Sequence, residues 1–259
     1  MHKKIGLIGL TATLGLTALF FPSPAQAGTV GGEYTLTDAC GNPTLPNAGN
    51  NVSGFVNTMQ VFGHTRRFVY GNSAYWPDDL IDCSVSGGKD CYYGDTVNYL
   101  YVSSHGGSDA TRFRITTGVT HTIDGQSTCR AWTSNPSTGT QWWKMGDGSV
   151  RVLLLYTCHG LELSDLPHWD PVAQGLHVIT GGSGNMYDSG SAGSNVAFWG
   201  NLGLTIKSAW FNNVSADTKV VMAYGVNQAD AINRRDNERF SWSTSRLGTK
   251  TWRAWSWVN

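Results

Sequence analysis

The chain has 259 residues, with 18 basic and 18 acidic side chains and 11 tryptophans. This balance excludes a strongly basic nucleic-acid-binding protein, while 32 glycines and a charged fraction of 14% indicate a loop-rich globule. Loss of a leader containing Lys3 and Lys4 would leave a formal charge of about −2, so neither nucleic acid nor an anionic membrane is expected as the main partner.

Residues 1–27 have the order of a secretory signal peptide. Basic residues precede an apolar run from Ile5 to Phe21, and two prolines precede a small-x-small sequence that ends at Ala27. A membrane anchor is the alternative for such a run, but the prolines and the small residues favour cleavage after Ala27. We therefore expect an exported protein of bacterial type, secreted or periplasmic and without a membrane partner after cleavage.

Short apolar runs bounded by glycine or polar residues predict strands, and longer segments between them predict helices. The predicted strands are 66–71, 97–103, 151–157, 175–181 and 219–225, and the predicted helices are 51–63, 195–214 and 227–236. Several strand runs are apolar throughout, which is typical of strands covered on both faces. The pattern predicts an α/β fold, a three-layer sandwich with a mostly parallel central sheet, in one domain over residues 28–259.

The five cysteines leave at least one without an intramolecular partner. Cys83 and Cys91 flank a short polar loop that could close on itself, which would leave Cys40 and Cys129 for a second bridge. Four cysteines allow three pairings, so the spacing does not fix the connectivity. Cys158 ends the most apolar run of the mature chain, where it is either a small inert core residue or a nucleophile at a strand tip.

Two residues with catalytic chemistry follow predicted strands. His105 follows the strand at 97–103, and Cys158 ends the strand at 151–157. Ligand sites of parallel sheets form at the carboxyl ends of the strands. If the two strands are parallel neighbours, the imidazole and the thiol emerge at the same edge.

This arrangement resembles the caspase-like clan of cysteine peptidases, which includes caspases, metacaspases, legumains and gingipains. In that clan an apolar strand ending in His-Gly is followed by another ending in Cys; here the two residues are 53 positions apart. The sequence TCHG resembles the Cys-His-Ser-Gly of metacaspases, and the likeness covers about residues 95–215. Segments 68–79 and 205–210 are also similar to a family of uncharacterised bacterial secreted proteins, which implies no known activity.

The resemblance implies a role for each matching residue. Cys158 is the expected nucleophile and His105 the general acid/base, while the N–H groups of Gly106 and Cys158 form the oxyanion hole. The expected substrate is a polypeptide, cleaved through an acyl-enzyme without a cofactor. Tyr156 stands where many metacaspases have an acidic residue, so a preference for Arg or Lys is not implied.

The glycine-rich segment at 180–193 is where this clan places the walls of its substrate pocket. Four polar side chains are therefore candidate substrate-binding residues: Ser183, Asn185, Tyr187 and Asp188. A flexible surface loop is the alternative for each of them. A nucleotide site is not expected, because Tyr187 stands where the third glycine of the phosphate-binding pattern would fall.

No metal site is expected from the histidines. His159 adjoins Cys158, but neighbouring residues of an extended segment point to opposite faces, and the remaining histidines lack the spacing of metal ligands.

The carboxyl-terminal tail contains Trp252, Trp255 and Trp257. We expect these side chains to clamp the terminus to the core, with a carbohydrate-stacking strip as the alternative. The sequence thus predicts an exported cysteine endopeptidase, with two rivals: an inactive caspase-like module that serves binding or surface interaction, and a Trp-rich glycan-binding protein. It does not indicate an oligomeric state.

Overall fold

The computed structural model describes residues 27–109, 111–241 and 250–259, so the predicted signal peptide lies outside the described residues except for Ala27. Within these ranges, none of the helices has the length and apolar character that a bilayer span requires.

The described chain alternates strands and helices. The strands are β1 (Thr29–Tyr34), β2 (Thr65–Gly71), β3 (Tyr99–Ser103), β4 (Gly106–Asp109), β5 (Arg112–Ile123), β6 (Gln126–Trp132), β7 (Val152–Tyr156), β8 (Val178–Met186), β9 (Ala216–Gly225) and β10 (Trp252–Val258). The helices are α1 (Ala48–Val61), α2 (Ala192–Asn201), α3 (Ile206–Asn213) and α4 (Gln228–Asn237). Short 3₁₀ turns occupy Asn72–Ala74, Pro77–Leu80, Asp90–Tyr92, Gly94–Thr96 and Leu166–Trp169.

A seven-stranded sheet forms the centre of the molecule, in the order β10-β9-β8-β7-β3-β1-β2. The strands β1, β2, β3, β7 and β8 are parallel to one another, whereas β9 pairs antiparallel with both of its neighbours, β8 and β10. The predicted α/β fold with a mostly parallel sheet is therefore confirmed. β3 and β7 are neighbours, and Ser103 lies opposite Tyr156 at their carboxyl ends.

The two faces of the sheet bury different layers. Tyr99 and Tyr101 of β3 pack in one hydrophobic cluster with residues of α1, α2 and α3. Leu100 and Val102 point to the other face, which is covered by β5, β6 and aromatic side chains of the loops. This alternation follows from the two-residue period of a strand, and it explains why β3 is apolar at every position.

The second face differs from the predicted layering, because a three-stranded antiparallel sheet in the order β4-β5-β6 covers it. The predicted helix 195–214 is wrong as a single element. It divides into α2 and α3 around Gly203, whose φ of +107° lies in the region that favours glycine. The glycine-rich segment is also not a loop throughout, since β8 continues to Met186 and pairs with β9.

Candidate functional site

His105 lies where the chain passes from the central sheet to the small sheet. β3 ends at Ser103 and β4 begins at Gly106. The Ser104 hydroxyl donates to the Thr116 carbonyl at 2.6 Å, and the Thr116 N–H donates to the His105 carbonyl at 2.9 Å. These two bonds attach Ser104 and the backbone of His105 to β5.

The loop before α1 orients the imidazole. Nε2 of His105 lies 2.6 Å from the carbonyl oxygen of Pro43. A carbonyl only accepts, so Nε2 carries a proton, and in the neutral form of the ring Nδ1 is the acceptor. Asp38 shapes this loop by accepting bonds from the N–H groups of Cys40 and Asn42. Burial would raise the pKa of Asp38, but the bonds from Asn42, Thr116 and Cys40 lower it overall.

The thiol of Cys158 lies two residues beyond the end of β7, where it contacts β8. Its Sγ is 3.4 Å from the N–H of Met186 and 3.8 Å from the carbonyl oxygen of the same residue. The side chain is half-buried and its sulfur is free. The other four cysteines form the bridges Cys40–Cys129 and Cys83–Cys91, which are the pairings that the sequence favoured.

The imidazole and the thiol share one shallow cavity of about 20 Å³. Its lining residues are Leu45, Ser103, Ser104, His105, Tyr156, Cys158, Met186 and Asp188. The hydrogen bonds of His105 and Cys158 in the described chain go to Pro43 and Met186, so the two side chains are not bonded to each other. A volume of this size holds about one water molecule, so a peptide would lie across the surface above it.

Gly106 lies against the backbone that carries the thiol. A Cβ at this position would come within 2.2 Å of the Cys158 carbonyl oxygen, so a side chain cannot be accommodated without movement. Gly106 lies opposite Ile115 in the antiparallel ladder of β4 and β5. The preceding pair, His105 and Thr116, is hydrogen-bonded from the Thr116 N–H to the His105 carbonyl. Because bonded and non-bonded pairs alternate in an antiparallel ladder, the Gly106 N–H points away from β5.

Asp188 is the member of the predicted substrate-binding set that lines this cavity. The polar groups of the other three are engaged elsewhere: Ser183 donates to Glu162, while Asn185 and Tyr187 donate to Asp217. Those three are not among the residues that line the cavity.

Tyr156 occupies the position where the resembling metacaspases have an acid. Its side chain is buried, and its hydroxyl donates to the Tyr187 carbonyl. Burial raises the pKa of Tyr156 to about 12, and the nearby Asp188 carboxylate acts in the same direction. The phenol is therefore neutral at physiological pH, and Asp188 supplies the carboxylate of the cavity.

Glu162 connects the turn after the thiol to β8, and sequence reasoning did not identify it. His159 adopts a left-handed conformation with φ of +56°, and its Nδ1 pairs with Glu162. Glu162 also accepts from the Gly184 N–H at 2.8 Å and from the Ser183 hydroxyl at 2.7 Å. Burial would raise the pKa of Glu162, but these bonds and His159 lower it overall.

We expect Glu162→Gln to lower the free energy of unfolding by about 1–3 kcal/mol at pH 7, because the amide loses charge-assisted hydrogen bonds. The folded pKa lies below the usual 4.5, so this stabilisation is present above that value and is lost as the pH falls through the lowered pKa. Urea unfolding of both proteins from pH 7 into acid should show the difference between their free energies of unfolding shrinking as the pH falls through the lowered pKa of Glu162. A difference that does not shrink at any acid pH where both proteins fold would contradict the role of the charge.

A comparison with protein-family models matches residues 33–257 to a family described as "Domain of unknown function (DUF6345)", and it gives no match to a caspase family. No curated protein matches the chain.

Proposed function

The chain belongs to the DUF6345 family, and for this member we propose the function of an exported cysteine endopeptidase that acts through Cys158 and His105. The observation that carries the proposal is that β3 and β7 are parallel neighbours and that both residues line the same cavity. Cys158 is also a free thiol, whereas the other four cysteines form two disulfide bridges. A nucleophilic cysteine has to be free in this way.

The proposed reaction follows from the positions of the donors. Nδ1 of His105 takes the thiol proton, and the sulfur of Cys158 attacks the carbonyl carbon of the scissile bond. The N–H groups of Gly106 and Cys158 stabilise the oxyanion, and the imidazolium then protonates the leaving amine. Water hydrolyses the thioester, which releases the carboxylic acid and restores the thiol. The proton on Nε2 of His105 remains there throughout, hydrogen-bonded to the Pro43 carbonyl oxygen.

A peptide screen tests this activity. The disulfide-intact protein is incubated with a mixed peptide library beside Cys158→Ala, and new termini are identified by mass spectrometry. We expect cleavage by the parent protein that disappears in the variant. Cleavage that survives in Cys158→Ala would mean a contaminant or another nucleophile. Absence of cleavage by either protein would contradict the peptidase proposal and favour the first rival.

The glycan-binding rival is favoured by a separate observation at the tail. The expectation that the tryptophans clamp the terminus through their side chains is wrong, because Trp252, Trp255 and Trp257 are 50%, 40% and 55% exposed. The terminus is held by backbone pairing of β10 with β9. Two of these rings border a cavity of about 440 Å³ with Asp170, Tyr224, Lys250, Thr251 and Arg253.

A flat ring with one free face and polar groups at its rim is the usual platform for a sugar ring. We expect the Trp252→Ala, Trp255→Ala double variant to lower affinity for any glycan found on an array by about tenfold or more. Trp76→Ala, which removes an exposed ring outside this cavity, is the control. Binding that survives Cys158→Ala but not the double variant would favour the rival, whereas no glycan binding would remove it.

A further inference from the structure

A short disulfide-closed loop brings two buried aspartates together. Asp82 and Asp90 each precede one half of the Cys83–Cys91 bridge, in which the two cysteine Cα atoms are 5.9 Å apart. The N–H of Cys83 donates to Oδ1 of Asp90 at 3.1 Å, which fixes that carboxylate across the loop. The covalent bridge thus holds two acidic side chains close together, although their like charges repel.

A third carboxylate reaches the same point from the segment before β7. Asp147 is exposed, and each of the three residues offers one carboxylate oxygen within 4.8 Å of the other two. Oxygen atoms at this separation can share one cation.

The charges in this cluster are not balanced by the described residues. Nζ of Lys144 lies 3.0 Å from Oδ1 of Asp82 and 2.8 Å from the Ser84 hydroxyl. Among the ion pairs of the described residues, this is the one that involves a member of the cluster, and it is made to Asp82. The neighbouring Asp95 adds a fourth carboxylate, but it accepts bonds from four backbone N–H groups, those of Gly146, Gly148, Ser149 and Val150.

Asp90 is the most deeply buried member of the cluster. The residue is 1% exposed, and its Oδ2 has no hydrogen-bond partner among the described residues. A buried carboxylate oxygen without a donor is costly, and a bound cation removes that cost.

We propose that Asp82, Asp90 and Asp147 bind one Ca²⁺ ion, which ties the disulfide-closed loop to the segment before β7. The donors are hard oxygens, and the two nearby sulfurs are committed to the bridge, so the set suits calcium rather than zinc. Backbone carbonyls and water would complete the coordination, and calcium tolerates such irregular geometry better than magnesium. The site uses none of the residues of the proposed peptidase centre.

The test is thermal unfolding of the disulfide-intact protein with EDTA and then with CaCl₂. Dissociation constants of extracellular calcium modules are on the order of 10⁻⁴–10⁻³ M, so 10 mM CaCl₂ should raise Tm by about 3–10 °C. The same concentration of MgCl₂ should give a smaller rise. No rise with CaCl₂, or an equal rise with both salts, would overturn the calcium assignment.

Variants locate the ion. Asp147 is exposed, so Asp147→Asn should fold normally and lose the calcium response. Asp90→Asn should lose it as well, because a neutral amide is a weaker ligand. Asp165→Asn, outside the cluster, should keep the full response. A response that survives in Asp147→Asn and Asp90→Asn would place the ion elsewhere and overturn the proposal.

Discussion

Replacing His105 with alanine should lower kcat/KM for peptide hydrolysis by about 10³-fold, within the range that a general acid/base contributes. The ring lies on the cavity that Cys158 also lines, and its Nε2–H is held by Pro43 at 2.6 Å, so Nδ1 is free to take the thiol proton. Without the imidazole, a thiol is only a few per cent ionised at neutral pH and the leaving amine has no proton donor.

His168→Ala is the matched control, because His168 lies in the 3₁₀ turn Leu166–Trp169 and does not line the cavity. Steady-state kinetics on a peptide found in the library screen gives kcat/KM for all three proteins. The control should retain the parent value. A His105→Ala protein that folds and keeps its activity would show that the imidazole takes no part in the reaction.

Loss of the Cys40–Cys129 bridge should have the largest effect on stability. The bridge closes a separation of 89 residues, and chain-entropy arguments assign about 4–5 kcal/mol to a loop of that length. Cys83–Cys91 closes a separation of only 8 residues, for which the same argument gives about 2–3 kcal/mol. The double variant Cys40→Ser, Cys129→Ser should therefore lose about 2 kcal/mol more than Cys83→Ser, Cys91→Ser.

This bridge also bears on the site, because Cys40 is three residues before Pro43 in the loop that orients His105. We expect its loss to lower kcat of the remaining folded protein, whereas loss of the second bridge leaves kcat unchanged. Urea unfolding without reductant measures the free energies, and kinetics well below the transition measures kcat. Equal stability losses for the two double variants would contradict the loop-length argument.

Five of the seven strands of the central sheet were predictable from their apolar runs, whereas β1 and β10 were not predicted. The apolar runs that contain β3 and β7 stand out against glycine and polar residues, and they place His105 and Cys158 at strand ends. Parallel pairing of these two strands was a condition that the sequence left open, and the structure fulfils it. The small antiparallel sheet was missed, since β5 mixes threonine with charged residues and has no continuous apolar run.

The surroundings of the site could not be read from local patterns. Pro43 meets His105 across 62 residues through a backbone carbonyl, and a carbonyl leaves no signature in a sequence. Glu162 acts through a turn that depends on the left-handed conformation of His159, which an ordinary residue rarely adopts. The odd count of cysteines predicted that at least one is free, and the structure shows that Cys158 is. The exposure of the tail tryptophans depends on β10 lying at the sheet edge.

Alkylation of Cys158 in the native, disulfide-intact protein tests the central claim most directly. Iodoacetamide is added without denaturant, and peptide mapping by mass spectrometry follows the modification of each cysteine with time. We predict that Cys158 is carbamidomethylated in the folded protein, that peptidase activity falls in step, and that the rate drops in His105→Ala. A Cys158 that reacts only after unfolding, at a rate that His105 does not affect, would contradict the account.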